Sequence, residues 1–352
     1  MVTTSKLKNK VIIMKKLLAI LLSLTFIFSL AACGEEETVS TPEISSESSE
    51  QYTPVDMSIA CMTGPTGIGM AKLMADSEAK TTANNYTFTV TSDASDITAK
   101  FIKGEINIAS VPTNVAATLY KKTEKGVSVI AVNTLGVLSI VTNGENISSI
   151  ADLKGKTIYA TGQGATPEYA LNYILEKNGL EVGKDVKVEY KGEHSELAAL
   201  VTAGEVKIAM LPQPFVTTVT TANENVRVAL DLSAEWAKIS EVEGGELVMG
   251  CIIVRNEFLK NNKDAVNTFL NEYYHSTSYA NEKHEKTGEL SAEFDILPAA
   301  VVTKAIPSCN IVFIKGQEMK TSVSAYLKTL YDANPQSIGG ELPDDAFYYV
   351  SE

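Results

Sequence analysis

From Val55 onward the hydrophobic positions change period again and again. Short apolar or alternating runs give way to stretches in which apolar residues recur at helical spacing. "MSIACM" (57–62) reads as a strand and "TGPTG" (63–67) as a turn. "IGMAKLMADSEAK" has helical spacing through Ile68, Leu73 and Met74, and "YTFTVTS" alternates as a strand. "ASDITAKFIKG" sets Ile97, Phe101 and Ile102 on one helix face, with Gly104 as its stop. "INIASV", a helix from Pro112 and "VSVIAVNTL" follow. The second half repeats the order: "KTIYAT", a Gly-rich turn into a helix ended by Gly179, "VKVEY", "HSELAALVTAG", "VKIAML", a proline-started helix and "VRVAL". Strand–helix–strand alternation at this rhythm predicts an α/β protein whose sheets are mixed but mostly parallel. The phrase "KGEINIASVP" (103–112) returns as "AGEVKIAMLP" (203–212), and the "TG" at Thr63 matches the "TG" at Thr161. Two copies are too few for a solenoid. They predict two lobes built on one plan.

The long run "GELVMGCIIVRNEF" (245–258) is too continuous for a strand confined to the second lobe, and it reads as the chain crossing back to the first. The first crossing is expected near "VTNGEN" (141–146). Lobe 1 is therefore assigned to 55–143 and 248–352, and lobe 2 to 144–247. Trp236 reads as core packing, with a lid over the cleft as the alternative.

The first 54 residues do not fit this pattern. "MKKLLAILLSLTFIFSLAAC" (14–33) has two lysines, an apolar run, small residues and a cysteine, the order of a secretory signal. Its end, "LAAC", resembles a bacterial lipobox, in which cleavage leaves an acylated cysteine, here Cys33. Residues 1–32 are thus a signal peptide, with Met14 the better start. Residues 33–54 are the lipidated cysteine and a Ser/Glu/Thr-rich tether that cannot bury a core.

Charge and composition narrow the function. Losing residues 1–32, which hold five lysines and no acid, takes the net charge from −13 to −18. That balance argues against nucleic acid, which needs a basic patch, and against binding anionic lipid through side chains. Beyond Cys33 the cysteines are Cys61, Cys251 and Cys309, an odd number without zinc spacing, so buried thiols are expected. A Cys61–Cys251 disulfide requires the two strands to be neighbours. "DLKGKT" would need Gly at 150 to be a phosphate loop, and Ile150 stands there. With three histidines and no local metal or triad cluster, the chain reads as a binding protein, without cofactor or metal, and not as an enzyme.

In open α/β sheets ligands bind at the carboxyl ends of strands, beside helix starts that favour anions. Four loops have that placement: "TGPTGIG" (63–69), "VPTN" (111–114), "TGQGATP" (161–167) and "LPQP" (211–214). Together with "LAAC", the repeated phrase, "DLKGKTIYATGQGATPEYALNYILEKNGL" (152–180) and "GELVMGCIIVRNEFLKNN", this arrangement resembles the type 2 periplasmic-binding-protein fold. Within it the resemblance is to the nitrate, sulfonate and taurine solute-binding branch of ABC importers, and it covers Val55 to about Ala333. It implies a monomeric clamshell with two hinge crossings, held by a lipid anchor on the outer face of the cell membrane. A solute would close the lobes and be passed to a permease and its ATPase. Carried over, the ligand contacts are Thr63, Gly64, Pro65, Thr66, Gly67, Pro112, Thr113 and Asn114 on lobe 1. On lobe 2 they are Gln163, Gly164, Ala165, Thr166, Gln213 and Pro214, with His194 of "GEHSEL" as the titratable candidate. The two arginines, Arg227 and Arg255, fall in expected strands, so no loop arginine clamps a carboxylate and an amino-acid ligand is disfavoured. A small oxyanion or sulfonate at helix starts fits, and so does a heterocycle such as a thiamine-precursor pyrimidine on Tyr or Phe. A sensor for a signalling partner is the third function class, and no signalling segment follows the lipobox.

Overall fold

The computed structural model describes residues 52–240 and 245–350. The expected signal peptide, Cys33 and the tether up to Gln51 lie outside the described residues. The chain opens with β1 (Asp56–Met62), a single turn α1 (Pro65–Ile68), α2 (Ala71–Glu78) and β2 (Asn85–Thr91). Next come α3 (Ala94–Ile102), β3 (Ile108–Pro112), α4 (Thr113–Lys122) and β4 (Val127–Thr134). Local chemistry accounts for the boundaries. Asp93 caps α3 by accepting from the Ser95 N–H at 2.8 Å, and Gly104 leaves that helix at φ +80°.

The second lobe contains β5 (Leu138–Asn143), β6 (Thr157–Ala160), α5 (Thr166–Lys177), β7 (Lys187–Tyr190) and α6 (His194–Ala203). It continues with β8 (Ile208–Pro212), α7 (Phe215–Ala222), β9 (Val226–Asp231) and α8 (Leu232–Ile239). The chain then returns through β10 (Gly250–Arg255) to α9 (Asn256–Asn261), α10 (Lys263–Glu282), α11 (His284–Glu293), α12 (Ala299–Ala305), β11 (Ile311–Ile314) and α13 (Gly316–Ala333).

Two mixed sheets result, in the orders β11-β4-β10-β3-β1-β2 and β7-β6-β8-β5-β9. Leaving out β11, the orders correspond strand for strand. β1 runs parallel to β2 and β3, and β6 parallel to β7 and β8. In each of these five-strand orders the antiparallel strand is the one that arrives from the other lobe, β10 in the first and β5 in the second, and β11 at the edge also runs antiparallel to β4. The register keeps the repeat: Gly250 pairs with Pro112, and Leu138 with Pro212. The passage between sheets lies at residues 135–137, upstream of the expected Val141–Asn146. "LSIVTN" is itself a strand, and its consecutive residues Ile140 and Val141 are buried in different cores on the two sheet faces.

One face of the first sheet packs Ile59, Ile252 and Ile130 on Phe269 and Tyr273 of α10. The opposite face shares a core with the second lobe, and α13 bridges them through Met319, Tyr326 and Leu330. Trp236 is buried in that seam, its ring centroid 4.8 Å from Tyr173 and 5.5 Å from Tyr326, and its Nε1–H donates to the Gly245 carbonyl. The three described cysteines are free and buried. β3 separates Cys61 on β1 from Cys251 on β10, so the strands that a disulfide would need as neighbours are not adjacent. Burial pushes both thiols up to about 12, and they are inert packing groups.

Candidate functional site

The carboxyl ends of β1, β3 and β8 converge between the lobes, with a cavity of about 110 Å³ among them. From the first lobe it is lined by Met62 to Thr66, Pro112, Thr134, Met249 and Gly250. From the second it is lined by Val137, His194, Pro212, Gln213 and Phe215. Both copies of the repeated phrase end on this cavity, at Pro112 and Pro212.

Backbone geometry shapes the first wall. Gly64 holds φ +100° and ψ −157°, a conformation essentially confined to glycine. It turns the chain from β1 into α1, and the Thr66 hydroxyl closes that turn by donating to the Met62 carbonyl at 3.0 Å. Gly250 forms the floor. A Cβ there would sit 2.7 Å from Asn133 Oδ1 and 3.3 Å from Thr66 Cγ2, so no larger residue fits without movement.

The polar groups of the opposite wall are partly committed. Gln213 Oε1 accepts from the Thr217 N–H at 3.2 Å and its hydroxyl at 2.8 Å, capping α7 and leaving the amide NH2 as the donor a solute can meet. His194 begins α6, pairs through Nδ1 with the Thr161 hydroxyl and lies with its ring centroid 5.3 Å from Phe215. Burial holds its imidazole down to about 4, so it is neutral at neutral pH. Thr134, at the end of β4, is 2% exposed, and its hydroxyl finds no partner among the described residues.

The cavity takes in Thr63, Gly64, Pro65, Thr66, Pro112, His194 and Gln213 from the expected contacts. Gln163, Gly164, Ala165 and Asn114 instead border a second space of about 440 Å³, between α3, α4 and the loop after β6. Asn114 is an interlobe clasp: Nδ2 donates to the Ser337 and Gly164 carbonyls at 3.1 and 3.4 Å, and Oδ1 accepts from the Thr166 hydroxyl at 3.1 Å. Thr166 and Thr113 are fully buried. A Cβ on Gly67 would sit 2.7 Å from the Met62 carbonyl, and Pro214 is the N-cap of α7. These four border neither space. Sequence reasoning missed Met62, Thr134, Val137, Pro212, Phe215, Met249 and Gly250. Pro212 lies inside an expected loop, Met62 and Phe215 adjoin expected loops, and a glycine inside the apolar run 245–258 was a usable signal for Gly250.

Among the described residues, no Lys, Arg, Asp or Glu lines the cavity between the lobes. Arg227 donates to the Glu145 and Ile147 carbonyls, and Arg255 to the Gly104 carbonyl and the Glu257 carboxylate, away from the cleft.

Among solved structures, an ABC transporter protein from Parabacteroides distasonis is 21% identical, with a TM-score of 0.69 over 84% of this chain and 99% of its own. The periplasmic aliphatic sulphonate binding protein SsuA from Escherichia coli is 17% identical, with a TM-score of 0.65 over 85% of this chain and 94% of its own. The periplasmic nitrate-binding protein NrtA from Synechocystis is 13% identical, with a TM-score of 0.59 over 83% and 92%. They share the two-lobed α/β fold expected from the sequence. No curated protein matches the chain. The family described as the phosphonate periplasmic substrate-binding protein of ABC transporters matches residues 70–278, more than half of the sequence. The chain belongs to that family and is the solute-binding component of an ABC importer.

Proposed function

We propose that the chain is an extracytoplasmic lipoprotein, acylated at Cys33, that encloses a small solute between its lobes and passes it to a permease–ATPase complex. The observation that carries this reading is the cavity lined from both lobes, at the two places where the repeated phrase ends. For the solute, a nitrate-, sulfonate- or taurine-type anion draws support from the starts of α4, α6 and α7 bordering the cavity. Similarity to proteins described as binding aliphatic sulphonate and nitrate supports it too. A heterocycle is the second reading, favoured by the Phe215, Met62 and Met249 walls.

Thermal unfolding of the detergent-solubilised mature protein against nitrate, alkanesulfonates, taurine, alkylphosphonates and pyrimidines tests solute capture. A true solute at 100 times its Kd stabilises by about 2.7 kcal/mol, and a flat panel on a cooperatively unfolding protein counts against it. For the anchor, labelled fatty acid is expected to enter the wild type and not Cys33→Ala, and a wild type that takes up no label refutes the acylation.

A further inference from the structure

The cavity between the lobes has to hold an anion without an ion pair. Among the described residues, its lining contains no lysine, arginine, aspartate or glutamate. What it offers is neutral donors. Gln213 spends Oε1 on the Thr217 N–H and hydroxyl, which leaves its NH2 free among the described residues. His194 has Nδ1 engaged by the Thr161 hydroxyl. That hydroxyl has no other acceptor among the described residues, so its hydrogen is assigned to Nδ1 and the ring hydrogen to Nε2. Neither Nε2 atom belongs to the sealed, unpartnered polar atoms, in contrast to the Thr134 hydroxyl, so both can be reached from the cavity that their residues line.

The surroundings of the His194 ring keep it uncharged. Phe215 and Thr161 pack on it, neither of them charged, and burial disfavours the imidazolium. Its charged neighbours along the chain turn to solvent or to one another: Glu193 and Glu196 are exposed, and Lys191 pairs with Glu196 at 4.0 Å.

Such donors suit one negative charge. A hydrogen bond to an ionised acceptor is about twice as strong as a neutral one. The starts of α4, α6 and α7 add at most about half an elementary charge each, and the Thr113 N–H of α4 is already given to the Met249 carbonyl at 3.3 Å. That supply falls short of two charges, while the Born cost of leaving water rises with the square of the charge, about fourfold for a dianion. Met62, Val137, Phe215 and Met249 make the remaining walls apolar.

We infer that the cleft is a charge-state filter: it holds an oxyanion head in its singly charged form on an alkyl or aryl body, with Gln213 and His194 as the specificity-determining donors. A sulfonate meets that condition at any working pH, and a phosphonate meets it only while it retains one proton. This rests on the cleft being the solute site, and it adds what the site demands of the anion.

The test is calorimetry on the detergent-solubilised mature protein in about 0.15 M salt, which screens the acidic surface beyond about 8 Å. Three ligands of one shape are compared: propanesulfonate, propylphosphonate and the monomethyl ester of propylphosphonate. From about pH 6 to about pH 9 the sulfonate and the ester are expected to bind with constant affinity, and the phosphonate to weaken about tenfold per pH unit above its second ionisation. Gln213→Glu keeps an acceptor for Thr217 but removes the donor, and His194→Phe keeps a ring without one. Each is expected to weaken propanesulfonate about tenfold or more. If either fails to fold, Gln213→Met or His194→Leu takes its place. Phosphonate affinity that holds or rises to the alkaline end overturns the inference and leaves the cleft intact. Sulfonate affinity that ignores both changes removes Gln213 and His194 from it, and failure of all three ligands to bind overturns it outright. Thr63→Trp and Met249→Trp fill the cavity, and binding that survives in both folded variants refutes the cleft itself.

Discussion

The step from β3 to α4 and the step from β8 to α7 are written with one phrase, yet the two copies take on different tasks. Pro112 and Pro212 both border the cavity. One residue later, Thr113 is sealed in the core, whereas Gln213 caps its helix beside the cavity. Two residues later, Asn114 clasps the opposite lobe, whereas Pro214 opens α7. The helices just upstream differ too: α3 starts with Ala94, and α6 with His194. A parallel strand feeding a helix demands the same small and branched residues in both lobes, so the backbone plan is shared. Specialisation enters in the few residues after each strand, where packing leaves the side chain undetermined.

Three changes would break or sharpen this contrast. The largest effect is expected from Trp236→Ala, which empties the seam between second-lobe Tyr173 and first-lobe Tyr326. A loss of about 3–5 kcal/mol in urea unfolding is the expected outcome, and a loss below about 1 kcal/mol would show that the lobes are not joined there. Next, Asn114→Ala leaves the Thr166 hydroxyl and two carbonyls without their partner, at a cost of about 1–3 kcal/mol. It should also raise the radius of gyration in solution scattering if the clasp holds the lobes together.

The smallest effect is electrostatic and belongs to the second lobe. His194 has a folded pKa of about 4, lowered by burial from 6.5, so between those values the unfolded chain binds a proton that the folded one refuses. Stability is therefore full above pH 6.5 and falls as pH drops toward 4. Part of the residue still meets solvent, which limits the loss to about 1–2 kcal/mol. The difference in unfolding free energy between wild type and His194→Asn, followed from pH 7 to 4, measures it. A constant difference would mean the imidazole titrates normally.

The repeat made most of the fold legible, because period and glycine stops are local signals. "KGEINIASVP" and "AGEVKIAMLP" each end a strand and begin a helix, as their pattern predicts. β5 was not recognised, since "LSIVTN" has no turn of its own and joins its sheet only through β8 and β9, far along the chain. The site was half legible for the same reason. Loops at strand ends gave Thr63–Thr66, Pro112 and Gln213. Thr134, Val137, Met249 and Gly250 meet at the cavity through strand pairing across the two crossings, and of these only Gly250, a glycine inside an apolar run, has a local signal. Gln163–Ala165 follows the same local rule as Thr63–Thr66 but borders the other space.

The exchange of β5 and β10 between lobes also fixes an order of events at the ribosome. All five strands of the second sheet lie within Leu138–Asp231, so that lobe holds its complete ladder once Asp231 has been added. The first sheet must wait for Gly250–Arg255 to fill the gap between β3 and β4, and for Ile311–Ile314 to cover its far edge. The lobe that starts first in synthesis is the last that can close.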